Sequence, residues 1–211
     1  MNVQYISFVF LLILYKTMGH VDPTLGFVSQ PLDGSNFDIQ KPYDIAVGER
    51  YTFVKGTHKL WVYNTDKPFK ISSNTLPRTE IRIQGYDYSS GVWQFEAFGY
   101  VPYGTSGVSI MQIFGSDPPS ATTTMLRVYN NSLCYYRHPI LSNIYDKWLR
   151  INVIHDVDGN SVTVFIDGTL TYQTTGRGGK SHYFKLGVYT QDNSSFCMES
   201  RWKDIKILKH T

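Results

Sequence analysis

Apolar and polar residues alternate along short segments of the chain. This period of two predicts β-strands, because successive side chains of a strand point to opposite faces of a sheet. Eleven segments show the alternation or are rich in the residues that strands favour. They span residues 51–54, 58–63, 79–84, 92–101, 107–114, 122–129, 133–137, 148–156, 161–166, 183–189 and 202–208. Helical periodicity is nearly absent, so the pattern predicts an all-β protein.

Turn residues separate these segments. Asp158-Gly159-Asn160 and Asp167-Gly168 predict tight hairpins. The chain contains 16 Tyr, 12 Phe and 17 Gly, a composition typical of strands joined by turns. No repeat or long linker interrupts residues 21–211. We therefore predict one domain there, an antiparallel β-sandwich of jelly-roll topology whose curved sheet presents a concave groove.

The first residues have the pattern of a targeting segment. Residues 6–14 are apolar except for Ser7, and Thr17-Met18-Gly19 follow them. This run is shorter than a membrane span, so we predict a cleaved signal peptide over residues 1–20; a membrane anchor and a buried N-terminal strand are the alternatives. The mature protein is then expected in the secretory pathway, in a vacuole, or outside the cell at the wall. No later segment is long and apolar enough to span a membrane.

An oxidising compartment changes what the two cysteines predict. Cys134 and Cys197 are expected to form a disulfide there, the alternative being two separate buried thiols. Asn130-Asn131-Ser132 and Asn193-Ser194-Ser195 fit the glycosylation pattern and lie among turn residues. Asn130 and Asn193 are therefore predicted glycosylation sites.

Composition and motifs argue against several classes of function. Two cysteines are too few for a zinc framework, and the six histidines lack metal-ligand spacing. A nucleotide fingerprint and a supported Ser-His-Asp spacing are both missing. The formal net charge of +3 is mild, and the chain has no basic run. We expect no metal, no cofactor and no nucleic-acid partner.

Two of the predicted strands place their ionisable residues at every second position. One face of each is apolar, whereas the other carries guanidinium, ammonium, carboxylate, amide and phenol groups. These polar residues are Arg78, Glu80, Arg82, Tyr183, Lys185, Tyr189 and Gln191. Such a cationic, hydroxyl-bearing floor suits a carboxylate ligand. The alternative is a ladder of charges that pair only with one another across the sheet.

Three blocks give the sequence a resemblance to the alginate lyase superfamily of jelly-roll polysaccharide lyases. They are Arg78-Thr79-Glu80-Ile81-Arg82, Gln112-Ile113-Phe114 and Tyr183-Phe184-Lys185-Leu186-Gly187-Val188-Tyr189-Thr190-Gln191. Nearly all of the mature chain more closely resembles the plant citrate-binding protein family. The segments that carry this second resemblance include residues 42–44, 58–63, 85–96 and 198–203.

The lyase resemblance implies elimination across C4 and C5 of a uronic acid without a metal. It assigns neutralisation of the substrate carboxylate to Arg78 and Gln112, and protonation of the leaving oxygen to Tyr189. Glu80 would orient the arginines. Arg82 and Lys185 would hold neighbouring sugars or add to the positive electrostatic potential at the substrate carboxylate. In the related lyases the second block reads Gln-Ile-His, but here it ends in Phe114.

Phe114 disfavours an elimination that depends on histidine. A tyrosine-only route keeps Tyr189 as both base and acid, provided that neighbouring cations favour its phenolate form. His58 is a substitute base from another strand, its alternative being a half-buried histidine without chemistry.

Binding of an anion requires only hydrogen-bond donors and positive charge from the same residues, without a base or an acid. Arg78, Arg82 and Lys185, with neutral hydrogen bonds from Gln112 and Tyr189, suit citrate or an acidic sugar. Our main expectation is therefore a binding protein for a small carboxylate such as citrate or for an acidic polysaccharide. A lyase acting on a uronic-acid polymer is the alternative, and a structural or defence protein with a vestigial groove is the third.

Two further features bear on the groove. Tyr135 and Tyr136 lie on opposite faces of a predicted strand, so one of them must face outward or into the cleft. The loop at residues 177–180, Arg-Gly-Gly-Lys, is either a mobile cationic lid or an ordinary connection.

Overall fold

The computed structural model describes residues 22–211, and the predicted signal peptide lies outside that range. The described chain is built from fifteen strands and two short 3₁₀ turns, Gly34–Asn36 and Val47–Glu49. The strands are β1 (Phe27–Gln30), β2 (Phe37–Gln40), β3 (Tyr51–Val54), β4 (Thr57–Tyr63), β5 (Arg78–Ile83), β6 (Val92–Tyr100), β7 (Val108–Phe114), β8 (Thr122–Tyr129), β9 (Ser132–Tyr135), β10 (His138–Ser142), β11 (Trp148–Asp156), β12 (Ser161–Ile166), β13 (Thr169–Thr175), β14 (Tyr183–Thr190) and β15 (Cys197–His210).

The strands form two antiparallel sheets that pack as a sandwich. The outer sheet has the order β13-β12-β11-β6-β15-β4-β3, with β1 also paired to β15. The groove sheet has the order β10-β9-β8-β7-β14-β5-β2. Strands that are distant in sequence are neighbours in both sheets, as a jelly roll requires. The prediction of an all-β jelly roll is confirmed.

All eleven predicted segments are strands, and both predicted hairpin turns join consecutive strands, β11 to β12 and β12 to β13. Four strands were missed: β1, β2, β10 and β13. Each pairs at an edge of its sheet or runs along only one partner, and most of its residues are exposed or half-buried. Because neither face of these strands is deeply buried, their sequences need no alternation of apolar and polar residues.

Large apolar side chains from both sheets meet at the centre of the sandwich. Phe95 of β6 packs edge-on against Trp202 of β15 at 5.9 Å and lies 6.0 Å from Phe184 of β14. Trp202 is fully buried over Gly99, where an added Cβ would lie 2.9 Å from the indole ring. The apolar faces predicted from the alternation thus supply the core, and the opposite face of the groove sheet is left for polar residues.

A buried cluster of His155, His182 and Tyr88 also ties the two sheets together. The Tyr88 hydroxyl lies 3.0 Å from Nδ1 of His155, and the two imidazoles meet edge to face at 4.6 Å. Nδ1 of His182 donates to the carbonyl of Gly115 at 3.0 Å. Burial, helped by the neighbouring His182, lowers the pKa of His155 to about 4.

The prediction of a Cys134–Cys197 disulfide is wrong, because both cysteines are free thiols. Cys134 is buried on β9 of the groove sheet, whereas Cys197 is exposed at the start of β15 in the outer sheet. A bond between them would have to join different sheets. Asn130 and Asn193 are both exposed at left-handed backbone positions, so glycosylation there stays a prediction.

Between residues 22 and 211 there is no helix with the length and apolar character needed to cross a bilayer.

We expect the stability of the fold to fall as the pH drops, because His58 and His155 are both held neutral by burial. Their folded-state pKa of about 4 lies below the ~6.5 of an unfolded histidine, so the unfolded chain takes up protons first. Each residue's contribution is fully present above pH ~6.5 and is lost as the pH falls towards about 4. The loss is about 3 kcal/mol for each.

Urea unfolding between pH 7.5 and 4.5 measures this slope. His155→Gln should flatten it, whereas His138→Gln, a change at an exposed histidine, should leave it unchanged. An unaltered slope in His155→Gln would contradict the assignment.

Candidate functional site

Two adjoining clefts lie on the polar face of the groove sheet, and Thr75, Arg78 and Phe114 line both. We call the first, of about 340 Å³, the Tyr189 cleft. It is also lined by Gln112, Ser120, Ala121, Thr122, Met125, Tyr136, Arg177 and Tyr189. The second, of about 350 Å³, is the Lys185 cleft. It is also lined by Gln40, Phe69, Lys70, Ser73, Tyr183 and Lys185. Together they form the groove.

Arg78 stands where the two clefts meet. It opposes Tyr189 across β5 and β14, and its guanidinium carbon lies 3.8 Å from the centre of that ring. Nη1 donates to Oε2 of Glu80 at 3.4 Å. Nε is buried and has no hydrogen-bond partner among residues 22–211. The side chain therefore keeps donor capacity for a ligand.

Glu80 lies buried beneath the centre of the groove floor. Its carboxylate accepts hydrogen bonds from Nζ of Lys185 and Nε2 of Gln112 as well as from Arg78. Glu80, Gln112 and Lys185 are each at most 2% exposed. One buried anion thus joins side chains from β5, β7 and β14. Because a buried charge is tolerated only when it is paired, this cluster fixes the register of the three strands.

Burial lowers the pKa of Lys185, although the negative charge of Glu80 acts in the opposite direction. The positive charge of Arg78 adds to the lowering. The charges of the cluster are therefore paired in part with one another, as the charge-ladder alternative predicted. Nε of Arg78 is left without a hydrogen-bond partner among residues 22–211.

A glycine allows the strands to approach so closely. Gly187 has φ +134° and lies opposite Glu80, and an added Cβ would overlap the backbone oxygen of Thr79. On the other side of β14, the pairing with β7 shifts register between Leu186 and Tyr189. This irregularity sets where the Tyr189 phenol enters its cleft.

Phe114 places an apolar ring at the position where the lyase resemblance expects a histidine. It stacks on Tyr183 with centroids 4.9 Å apart and planes 18° apart. The guanidinium carbon of Arg82 lies 4.1 Å from the Tyr183 ring, and Arg82 pairs with Asp87 at 2.6 Å. Arg82 therefore supports the Tyr183 ring and lines neither cleft. Burial raises the pKa of Tyr183, against the opposing effect of Arg82.

Tyr136 and Arg177 also line the Tyr189 cleft, although neither was among the predicted site residues. Tyr136 follows β9 with φ +53°, which turns its ring into the Tyr189 cleft, while Tyr135 is buried and donates to the carbonyl of Thr123. Arg177 comes from the connection between β13 and β14, and its guanidinium carbon lies 4.1 Å from the centre of the Tyr136 ring. The only sequence signals were the two adjacent tyrosines and the cationic loop.

Besides Arg82, two further predicted site residues lie outside the clefts. His58 of β4 lies on the other sheet, on the same strand face as the core residues Leu60 and Val62. Its Nδ1 is 3.0 Å from the Tyr51 hydroxyl, and burial lowers its pKa to about 4, so it is not a substitute base in the groove. Gln191 donates its amide to the carbonyls of Tyr189 and Thr190 and lines neither cleft.

Comparison with known sequences gives two matches of long coverage. A family model described as alginate lyase matches residues 32–209. The chain is also 54% identical over 190 residues to the citrate-binding protein of Hevea brasiliensis, and the alignment covers 89% of this chain and 79% of that protein.

Solved structures share the fold at low sequence identity. The alginate lyase from Corynebacterium sp. superposes with a TM-score of 0.61 at 18% identity, covering 86% of this chain and 92% of that one. The family 7 alginate lyase A1-II′ in complex with substrate gives a TM-score of 0.67 at 15% identity, covering 85% and 95%. These similarities support the architecture of the sandwich.

We expect Glu80→Gln to destabilise the protein by about 3–5 kcal/mol, because it leaves the Lys185 ammonium buried without its anion. The matched control is Glu199→Gln. Glu199 also receives two cations, Lys59 and Arg201, but those side chains are about 40% exposed, so its loss should cost less than about 1 kcal/mol. Equal costs in urea unfolding would show that the buried cluster does not hold the floor together.

Proposed function

The chain belongs to the citrate-binding protein family within the alginate lyase superfamily, and we propose that it is a secreted or vacuolar protein that binds a carboxylate ligand in its groove. The name of the Hevea relative supports citrate as one such ligand. A uronate-type acidic sugar presents the same carboxylate chemistry. The apolar run at residues 6–14 supports entry into the secretory pathway.

The charge of the groove carries this proposal. Four cationic side chains line the two clefts, Lys70, Arg78, Arg177 and Lys185, and within the described chain no carboxylate lines either one. Glu80 lies beneath the floor and is engaged by its own partners. Arg78 is 13% exposed at its side chain, so a ligand would meet a largely desolvated guanidinium, where a charged hydrogen bond is strongest.

Phe114 favours binding over turnover. A benzyl ring can neither accept the C5 proton of a uronate nor donate to its carboxylate, and it occupies the position that the lyase resemblance assigns to histidine. Of residues 22–211, no histidine lines either cleft. Anion binding needs none of the missing chemistry.

A specific contact keeps polysaccharide lyase activity as the second candidate. The Arg78 guanidinium carbon lies 3.8 Å from the centre of the Tyr189 ring, so a cation able to neutralise a substrate carboxylate stands beside a phenol able to carry the proton. In that reaction the phenolate takes the C5 proton, and the electrons form the C4–C5 double bond as the C4–O bond breaks. The phenol then returns the proton to the leaving oxygen. The polymer is cleaved without a metal or a further reactant.

Citrate should raise the melting temperature of the wild-type protein, because a ligand that binds only the folded state stabilises it by mass action. At 100 times Kd the gain is about 2.7 kcal/mol. Arg78→Gln should weaken binding by about 1.5–3 kcal/mol, or on the order of 10- to 100-fold, by removing charged hydrogen bonds.

The matched control is Arg137→Gln. Arg137 also lies over a tyrosine ring, that of Tyr129, and pairs with Asp192, but it lines neither cleft. Calorimetry and thermal unfolding should show near wild-type binding for this variant. No stabilisation by citrate or by uronates in the wild type would overturn the binding proposal.

The lyase candidate predicts ultraviolet absorbance from an unsaturated uronate when wild-type protein is incubated with glucuronan, alginate or polygalacturonate. Tyr189→Phe should abolish the signal, because it removes the phenol that this route uses as both base and acid while leaving the Arg78 contact to an aromatic ring. We expect no absorbance from the wild type. A rise that Tyr189→Phe abolishes would establish the second candidate instead.

A further inference from the structure

A third cavity, of about 470 Å³, opens at the edge of the sandwich and is lined by the last strand of each sheet. Phe37 and Ile39 of β2 contribute from the groove sheet, and Tyr51 and Phe53 of β3 contribute from the outer sheet. The cavity shares no lining residue with either cleft of the groove. Its volume is in the range of small-molecule sites. We call it the edge cavity, and neither the binding proposal nor the lyase candidate uses it.

The walls of the edge cavity are aromatic. Three rings lie against His58 of β4, which also lines the cavity: Phe53 at 4.4 Å, Phe37 edge-on at 5.2 Å and Tyr51 at 6.0 Å between centroids. Burial lowers the pKa of His58 to about 4, so the imidazole is uncharged at neutral pH. Phe53 is nevertheless 57% exposed. A ligand in the cavity would therefore cover an aromatic ring that the fold leaves in water.

Asp33 is the one ionised side chain among the described residues that line the edge cavity. Its Oδ1 accepts hydrogen bonds from the hydroxyl and the amide of Ser35 at 2.6 and 2.8 Å, and these bonds lower the pKa of Asp33. Oδ2 accepts no hydrogen bond from residues 22–211. The fixed charge of this cavity is therefore negative, whereas the side chains that carry charge in the groove clefts are cations.

We propose that the edge cavity binds a small aromatic amine, whose ring packs against Phe37 and Phe53 and whose ammonium group pairs with Asp33. The ring gains free energy by leaving water for apolar walls. The ammonium group is attracted by the free carboxylate oxygen and by the negative faces of the surrounding rings. An aromatic acid of the same size would bring a like charge to Asp33. This inference goes beyond the proposed function, because it concerns a different site and a ligand of the opposite charge.

Titration with phenethylamine, followed by NMR of the histidine side chains, tests this inference. The signals of His58 should shift in the wild-type protein, while those of the exposed His138 should not. Phenylpropionate has the same ring and chain with a carboxylate in place of the ammonium group, and it should bind at least about fivefold more weakly. Equal affinities for the two ligands would overturn the proposal, and so would His58 signals that do not move.

Asp33→Asn removes the charge while keeping an oxygen that can accept the hydrogen bonds of Ser35. It should weaken phenethylamine binding about fivefold and remove the preference over phenylpropionate. The matched control is Asp44→Asn, a change at an exposed carboxylate that does not line the cavity, and it should alter neither affinity. An Asp33→Asn protein that keeps the full preference for the amine would show that this carboxylate does not bind the ligand.

Phe53→Ala removes a largely exposed ring and should leave the protein folded, but it should weaken both ligands about 10-fold. Phe196→Ala, a change at a ring that is 63% exposed and does not line the cavity, should weaken neither. If the two variants bind alike, the edge cavity is not the site. Arg78→Gln should leave phenethylamine affinity unchanged, and Asp33→Asn should leave citrate affinity unchanged, so each proposal can fail without the other.

Discussion

The buried carboxylate of Glu80 is the interaction on which the polar half of this protein depends. It lies in the middle of a sheet, 1% exposed, with an ammonium, an amide and a guanidinium from three strands directed at it. Burying any one of these groups alone would be unfavourable, so the strands must keep the register that brings them together. Apolar cores in general tolerate substitutions of similar volume, whereas removing one partner of a buried ion pair is strongly destabilising. Its stability and its ligand chemistry come from the same side chains.

Glu80 also shapes the field of the groove. Because it engages Lys185 and Gln112 fully and Arg78 only at 3.4 Å, the cluster leaves Arg78 as the group with donors to spare. The aromatic rings refine this arrangement, since Tyr189 and Tyr183 each carry a guanidinium on one face. Cations held against phenol rings keep their charge while their orientation is restricted. The groove is thus preorganised for anions before a ligand arrives.

The alternation of residues predicted the face to which Arg78, Glu80, Lys185 and Tyr189 belong, because a period of two is a direct consequence of strand geometry. The alternation could not predict which groups these side chains contact. Gln191 shares the alternation but turns its amide back to its own backbone. Arg177 and Tyr136 reach the cleft through a crossover loop and a left-handed residue, and neither feature leaves a periodic signal. The two cysteines lie in different sheets, and composition does not reveal to which sheet a strand belongs.

Phe114 stands at the position where the lyase resemblance expects a histidine, and the two chemistries make different demands on that position. Stacked on Tyr183, the ring fills its space and lines both clefts, so the groove keeps its shape and its cations. A phenyl ring has no lone pair with which to accept a proton at this position. Anion recognition depends on fixed donors, and these remain, whereas elimination also needs a base whose strength matches the carbon acid. The cations and the amide that line the clefts meet the first requirement, whereas among residues 22–211 no histidine lines either cleft to meet the second.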